Sequence, residues 1–268
     1  MTAAGPDRPP GGAAVLVVGV LVVGAEGAEG AEGAEGAEGA EGAEGAEGAE
    51  GAEALRVELD HGVDPEELLD RSGLRAVRLL AILGRADPHE VELRYEVVRG
   101  GGSSGAVRRG IPSDTGLLLA PGEEPHRFQR VAVYGLVRSH RGLLLTQMSD
   151  RTNSPGAWGL AGGGLDPGEL PEAALHREVW EESGQRVDRL EPLRVTTSHW
   201  VGRAPSGRAE DFHAVRVVYS AWCAGPTDPV VHDVGGTTER SAWFADDELA
   251  DLPFVTSWAG VLKELVHR

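Results

Sequence analysis

The chain has 268 residues, 41% of them hydrophobic, which is enough for one or two domains with a proper core. Its formal net charge is −18, and it is about −8 without the glutamates of ten Gly-Ala-Glu triplets at 24–53. The absence of a basic tract argues against nucleic acid polymers as partners, because such binding depends on clustered Lys and Arg. The single cysteine, Cys223, excludes an intrachain disulfide and is typical of a reducing, cytoplasmic compartment.

Residues 1–53 form a low-complexity tail that is predicted to be mostly disordered. Within it, Ala13–Val23 is an apolar stretch of eleven residues, which is too short to span a bilayer. We therefore expect no membrane partner and treat this stretch as loosely attached. A membrane anchor through Ala13–Val23 remains an alternative, which a comparison of solubility with and without the tail would test.

Residues 54–127 are predicted to form a small α+β unit. Its expected elements are a strand at 55–59, a helix capped by Asp64 that starts at Pro65, and strands at 76–83 and 89–98. A flexible link is expected at 100–105, where glycines cluster. No pattern of chemistry marks this unit, so subunit contact, substrate selection and simple packing all remain open, and with them a homodimer.

Residues 128–268 are predicted to form an α/β domain. Its expected strands lie at 130–137, 143–148, 193–201, 212–224 and 242–244, and its last helix begins at Thr256. A further helix is expected to begin at Pro171, which suits a first helical position, and to end at Gly184. Strands and helices in this order predict a mixed sheet with helices on both faces.

The helix that begins at Pro171 carries a cluster of carboxylates. Residues three and four apart share a helix face, so Glu178, Glu181 and Glu182 are expected to converge on one patch. Like charges repel more strongly inside a cleft, where screening by water is weak. A hard cation such as Mg²⁺ reverses this cost, because it prefers oxygen ligands and completes its shell with substrate phosphate oxygens.

A glycine-rich loop precedes this helix. The three glycines at 162–164 let the backbone approach a metal or a phosphate closely. Arg177 lies two helical turns further on, and it is expected to pair with Glu169 or Glu181 and so hold the carboxylates in place.

The segment from Gly163 to Gly184 ("GGLDPGELPEAALHREVWEESG") resembles the Nudix box, G-x5-E-x7-R-E-U-x-E-E-x-G-U, in which U is aliphatic. Every fixed position matches except the last, where Gln185 replaces an aliphatic residue, and Ala161 replaces the proline that usually precedes the Gly-Gly pair. The resemblance implies a Nudix-like α/β/α sandwich over about 140 of the 268 residues. It also implies a pyrophosphohydrolase that uses Mg²⁺, or Mn²⁺ in its place, to cleave a nucleoside diphosphate linked to another group.

The resemblance assigns roles to individual residues. The implied metal ligands are Glu178, Glu181, Glu182 and the carbonyl of Gly162 or Gly163. The implied catalytic residues are Arg177 with Glu181 or Glu182 as general base, and Glu239 is an alternative base from outside the box. The remaining candidates, for contact with the substrate, are Trp158, Gly164 and Glu169. Core packing is the favoured alternative for Trp158, because a buried tryptophan more often packs than stacks on a base.

Two questions stay open at this point. One is whether the domain is instead a catalytically silent module that binds nucleotides or regulates a partner; the complete set of Arg177 and three glutamates argues against this. The other is the substrate. The proline and the tyrosine expected about sixteen residues past the box in two Nudix subfamilies are absent around Val201. Their absence favours nucleoside triphosphates or modified nucleotides. His199 and His213 lie on neighbouring predicted strands, where packing is favoured over substrate contact.

Overall fold

The structure is a computed structural model that describes residues 12–21, 52–100, 111–114, 117–204 and 206–266. Within these residues the chain forms a four-stranded sheet and a seven-stranded sheet, with three α-helices and one 3-10 helix. Most of the Gly-Ala-Glu triplets, and nearly all of the link expected at 100–105, lie outside the described residues.

The first sheet, with its helix, makes up the N-terminal unit. Its elements are β1 (Ala14–Leu21), β2 (Ala52–Glu58), α1 (Pro65–Arg71), β3 (Leu74–Arg85) and β4 (Glu90–Arg99). The strand order is β2-β1-β4-β3, with β1 parallel to β4 and antiparallel to β2. The helix begins as predicted, because Pro65 is its first residue and the Asp64 side chain accepts a hydrogen bond from the Glu66 N–H at 2.9 Å.

Strand β1 corrects the prediction of a loosely attached tail over residues 1–53. It is an interior strand of the sheet, and Val15, Val17 and Val18 are fully buried. An apolar run without alternation is typical of a strand that is covered on both faces. The stretch is too short for a bilayer but long enough for such a strand. The prediction missed this strand because the Gly-Ala-Glu triplets that follow it suggested a disordered tail. Strand β2 begins inside the last of these triplets.

The second sheet and its helices make up the C-terminal domain. Its elements are β5 (His126–Ser139), β6 (Gly142–Met148), β7 (Trp158–Gly159), β8 (Ala161–Gly164), α2 (Pro171–Ser183), β9 (Asp188–Arg203), β10 (Ala209–Trp222), β11 (Thr238–Phe244), a 3-10 helix (Asp246–Asp251) and α3 (Thr256–Val266). The strand order is β11-β6-β5-β10-β9, with β7 paired to β6 and β8 paired to β5. Strands β5 and β10 run parallel and the other pairs are antiparallel. The predicted elements are confirmed in type, and β9 to β11 are longer than predicted.

The two faces of this sheet are covered by different helices. Val133 and Val217 lie in the same core cluster as Leu175 of α2, whereas Leu136 and Val218 lie in a second cluster with α3. Neighbouring residues of one strand point to opposite faces, so this division places the sheet between the helices. The predicted α/β/α sandwich with a mixed sheet is therefore confirmed. Among the described residues, no helix has the length and apolar character needed to cross a membrane.

Candidate active site

Helix α2 and the glycine strand β8 form the centre of the site. Pro171 is the first helical residue, and Gly184 ends the helix in a left-handed conformation (φ 67°), with its N–H donating to the Trp180 carbonyl at 2.8 Å. These are the ends predicted from the sequence. Because the helix packs against β8, its glutamates face the glycine loop.

The glycines of β8 are required by close contacts. At Gly162 the backbone has φ 147°, and a side chain there would collide with the backbone of β5. A Cβ at Gly163 would lie 2.5 Å from Glu178 Oε1, and one at Gly164 would collide with the Arg130 guanidinium. The loop therefore brings its backbone directly against a carboxylate and a cation.

Arg177 organises the acidic cluster. Its Nε and Nη2 donate to the two carboxylate oxygens of Glu169 at 2.8 and 2.7 Å. Its Nη1 donates to Glu178 at 2.9 Å and to Glu181 at 3.1 Å. Nη2 also donates to the Gly164 carbonyl at 3.0 Å, so every N–H of the guanidinium has an acceptor. The predicted pairing of Arg177 is confirmed with both glutamates, and the hydrogen bonds from Arg177 lower the pKa of Glu169.

Glu182 is the most deeply buried carboxylate of the cluster, with only 6% of the residue exposed. One of its oxygens accepts a hydrogen bond from the Gly162 N–H at 2.9 Å, and the other accepts one from the Thr238 hydroxyl at 2.5 Å. Burial raises the pKa of Glu182 to about 7 although both hydrogen bonds oppose the shift. Burial likewise raises the pKa of Glu178. These two carboxylates lack a full counter-charge, which is the condition that a cation would relieve.

A prediction about stability follows from Glu182. Its pKa is raised above the ordinary 4.5, so its stabilising contribution is present below about pH 4.5 and is lost as the pH rises through about 7. Glu182→Gln removes this charge and can keep both hydrogen bonds. In EDTA at about pH 8 we expect the variant to be more stable than the wild type by about 1–3 kcal/mol. The gain should shrink at about pH 5. Thermal unfolding followed by circular dichroism measures the stability difference at each pH. Equal unfolding midpoints for the variant and the wild type at the higher pH would contradict the prediction.

A cavity of about 360 Å³ opens beside Glu182 and the glycine loop. Its walls include four aromatic side chains and two arginines. The aromatic residues are Tyr134, Trp200, Phe212 and Trp258, and the arginines are Arg130 and Arg216. The rings of Trp200 and Phe212 pack against each other at a tilt of 42°, with their centroids 4.4 Å apart. The sequence did not point to these side chains. The strands that carry them were predicted, but the face on which each ring lies depends on the register between β9 and β10.

Two candidates lie away from the cluster. Trp158 is 3% exposed and packs against Phe244, with ring centroids 4.7 Å apart, so the structure favours core packing over substrate contact. Glu239 is exposed at an irregularity of β11, and its side chain makes no hydrogen bond or ion pair with the rest of the described chain. Its neighbour Thr238 bonds to the Glu182 carboxylate, and Ser241 of the same strand donates to the Glu182 backbone carbonyl.

The N-terminal unit braces the loop that leads into α2. His89 accepts a hydrogen bond at Nδ1 from the Gly168 N–H (3.1 Å), and this bonding leaves Nε2 to donate to the Glu169 carbonyl at 3.0 Å. Gly84 of β3 lies directly against Pro171, where any side chain would collide with the proline ring. No sequence motif marks His89, because its partners are about eighty residues away in the chain.

The C-terminal domain matches a known protein family. The family model described as NUDIX domain matches residues 126–265. Nucleoside triphosphatase NudI of Salmonella schwarzengrund is 33% identical over 143 residues, which is 52% of this chain and 99% of that protein. A MutT NUDIX hydrolase of Burkholderia pseudomallei is 28% identical, with 51% of this chain and 98% of that chain covered and a TM-score of 0.40. A NUDIX hydrolase of Nitrosomonas europaea is 23% identical, with 54% and 89% covered and a TM-score of 0.40.

The sandwich and its carboxylate-bearing helix define an enzyme that hydrolyses acid anhydrides of phosphorus. The chain belongs to the Nudix family, because the family model covers more than half of it and the box residues are assembled around one helix. The predicted family, fold class and enzyme class are thereby confirmed.

Proposed function

We propose that this protein is a Mg²⁺-dependent enzyme that hydrolyses a pyrophosphate bond in nucleoside triphosphates or in modified nucleotides. The observation that carries the proposal is the carboxylate cluster of α2, which lies beside a cavity lined by aromatic rings and arginines. The similarity to a nucleoside triphosphatase supports the substrate class. Mn²⁺ is the expected substitute metal, because it accepts the same oxygen ligands.

The residues present fit a hard divalent cation. Glu182 is buried and Glu178 is half-buried, and burial raises the pKa of both. Both carboxylates lie against the glycine strand, where backbone oxygens are close. We assign the ligands as Glu178, Glu181, Glu182 and the carbonyl of Gly162 or Gly163. When bound, the metal would supply positive charge that offsets the negative charge developing on the phosphate oxygens.

The protein's own groups would orient the reaction. Arg177 holds Glu178 and Glu181 in fixed positions, and the Gly162 N–H and the Thr238 hydroxyl do the same for Glu182. A fixed carboxylate can accept a proton from the attacking water, provided that it lies within hydrogen-bond reach. For this role the geometry supports Glu181 and Glu182, which belong to the cluster, over Glu239, which stands outside it.

The cavity suits the rest of a nucleotide. Its volume of about 360 Å³ lies within the range of small-molecule sites, about 300–1,000 Å³. Trp200 and Phe212 offer ring faces on which a base could stack, and stacking on an aromatic ring contributes about 1–3 kcal/mol per base. Arg130 lies against Gly164, so its guanidinium is placed for contact with the phosphates.

A substrate panel tests the proposal. The full chain is incubated in Mg²⁺ with nucleoside triphosphates, modified triphosphates, ADP-ribose and dinucleoside polyphosphates, and the products are separated by ion-exchange chromatography. We expect triphosphates or modified nucleotides to give a nucleoside monophosphate and pyrophosphate, with kcat/KM at least tenfold (about 1.4 kcal/mol) above that for ADP-ribose. Cleavage of ADP-ribose or dinucleoside polyphosphates alone would contradict the substrate class, and no cleavage at all would favour the silent module.

We further propose a cytoplasmic location, with neither nucleic acid polymers nor membranes as partners. Cys223 is buried and free, which suits a reducing compartment. The acidic net charge does not favour polyanions, whereas a small nucleotide can be bound through a metal.

A further inference from the structure

Three polar side chains meet where the N-terminal unit contacts the second sheet. His61 lies in the loop between β2 and α1, His199 lies on β9, and Asp211 lies on β10. The register pairs His199 with His213 and Val201 with Asp211, so the two strands bring their polar residues to adjacent positions. His61 comes from a different unit, about 140 residues away in the chain.

The donor atoms of these side chains converge. One nitrogen from each of His61 and His199 and one oxygen of Asp211 all lie within 4.8 Å of one another. Asp211 Oδ1 is 2.5 Å from His199 Nε2 and 3.2 Å from His61 Nε2. In a tetrahedral site with metal–ligand bonds of about 2.0–2.1 Å, neighbouring donors are about 3.3 Å apart. The two distances from Asp211 lie at or below this value, so the donors are close enough to share one ion once the ring of His199 moves away from Asp211.

A hydrogen-bond network alone leaves polar atoms of this cluster unsatisfied. His199 Nε2 can bond to Asp211. His61 Nε2 is buried and lies 3.2 Å from the same Asp211 oxygen, but within the described residues it lacks the alignment of a hydrogen bond. A buried polar atom without a hydrogen-bond partner destabilises the fold. A cation placed between the three donors would satisfy His61 Nε2 directly.

A fourth polar side chain, His213, lies against two of these residues. It is completely buried, and its ring makes edge contacts with His61 (5.5 Å between centroids) and His199 (6.0 Å). Its Nδ1 donates to the side-chain oxygen Oε1 of Gln129 at 2.9 Å, which fixes the proton on Nδ1 and leaves a lone pair on Nε2. Within the described residues this Nε2 has no partner. His213 is not one of the three converging donors, and its ring packs beside them.

We propose that His61, His199 and Asp211 form a second metal site, of the kind that binds Zn²⁺, which fastens the N-terminal unit to the Nudix domain. Imidazole nitrogens with a carboxylate suit Zn²⁺ and neighbouring transition metals, whereas Mg²⁺ prefers oxygen ligands alone. The ligands are half-buried, with 13–19% of each side chain exposed, so an ion can enter from solvent.

Other contacts hold the same loop against β9. At Gly62 a side chain would collide with the His199 ring, and Asp64 accepts a hydrogen bond from the Thr197 hydroxyl at 2.9 Å. The proposed metal site also lies on the opposite face of β9 and β10 from the cavity beside Glu182. Trp200 and Phe212 adjoin the ligands in sequence and line the cavity, and neighbouring residues of a strand point to opposite faces. The metal would therefore fix the strands that carry the aromatic wall.

Metal titration of the full chain tests the site without relying on catalysis. The protein is stripped with EDTA and titrated with Zn²⁺ in excess Mg²⁺, so that the carboxylates of α2 are already in use. We expect one Zn²⁺ per chain to bind tightly and to raise the thermal unfolding midpoint. Co²⁺ in place of Zn²⁺ should give the intense visible absorption of a tetrahedral site.

Substitutions then locate the ion. His61→Gln, His199→Gln and Asp211→Asn should each weaken Zn²⁺ binding by more than the roughly 10–100-fold that loss of an outer partner costs. His140→Gln, at an exposed turn, is the matched control and should bind like the wild type. His61→Gln changes only a loop residue, so it keeps the test valid if a strand variant fails to fold. The proposal is overturned if the wild type binds no Zn²⁺ under these conditions, or if folded His61→Gln binds Zn²⁺ as tightly as the wild type.

Discussion

Glu182→Gln is expected to lower kcat by at least about 100-fold while the protein stays folded. The substitution removes a negative charge from the centre of the cluster but keeps the size of the side chain. The amide oxygen of Gln can accept the hydrogen bond from the Gly162 N–H, and its NH2 can donate to the Thr238 hydroxyl oxygen. The loss of activity would therefore reflect the missing charge, not a rearranged site. Steady-state hydrolysis in saturating Mg²⁺ measures the fall in kcat.

Glu172→Gln is the matched control for this experiment. Glu172 lies in the first turn of the same helix and is exposed. Its neutralisation changes the net charge by the same amount, and we expect turnover close to that of the wild type. Wild-type turnover in a folded Glu182→Gln protein would refute the assignment of Glu182 to the metal site.

Arg177→Met is expected to lower both stability and activity. The variant leaves the carboxylates of Glu169, Glu178 and Glu181 without their shared cation. Breaking a buried ion pair costs about 3–5 kcal/mol. Because 26% of the Arg177 side chain is exposed, we expect about 2 kcal/mol, together with at least a tenfold fall in kcat. The stability and the kcat of Arg177→Lys should lie between those of Arg177→Met and those of the wild type. The lysine keeps the positive charge, but its ammonium group cannot bond both oxygens of Glu169 as the guanidinium does.

Denaturant unfolding in EDTA and hydrolysis in Mg²⁺ measure the two effects separately. Arg186→Met is the control, since Arg186 is exposed and its guanidinium stacks over the Trp180 ring at 4.7 Å without touching the cluster. A stable and fully active Arg177→Met protein would show that the network around Arg177 does not position the carboxylates.

The box and its helix could be predicted because their signals are local. Pro171, Gly184 and the spacing of the glutamates fix where the helix begins, where it ends and which side chains share a face. The same spacing predicted that Arg177 would reach Glu169 or Glu181, and it bonds to both. Each of these contacts spans fewer than ten residues, so the sequence alone contains the geometry.

Contacts between distant segments could not be predicted in this way. Thr238 meets Glu182 only because β11 packs beside α2, and His89 reaches the loop only because two units meet. Strand β1 was misassigned because its apolar run adjoins the triplet repeat, and composition gives no information on which strands will enclose it. The placement of Trp158 in the core likewise depends on its contact with Phe244.

Binding of Mn²⁺ followed by electron paramagnetic resonance is the most direct test of the central claim, that the carboxylates of α2 form a divalent metal site. The wild type is predicted to bind Mn²⁺ that excess Mg²⁺ displaces, and Glu178→Gln together with Glu182→Gln should abolish this binding in a folded chain. One equivalent of Zn²⁺ per chain, added beforehand, occupies the histidine cluster and keeps it out of the measurement without filling the carboxylate site. Equal Mn²⁺ binding by the wild type and the folded double variant would contradict the account.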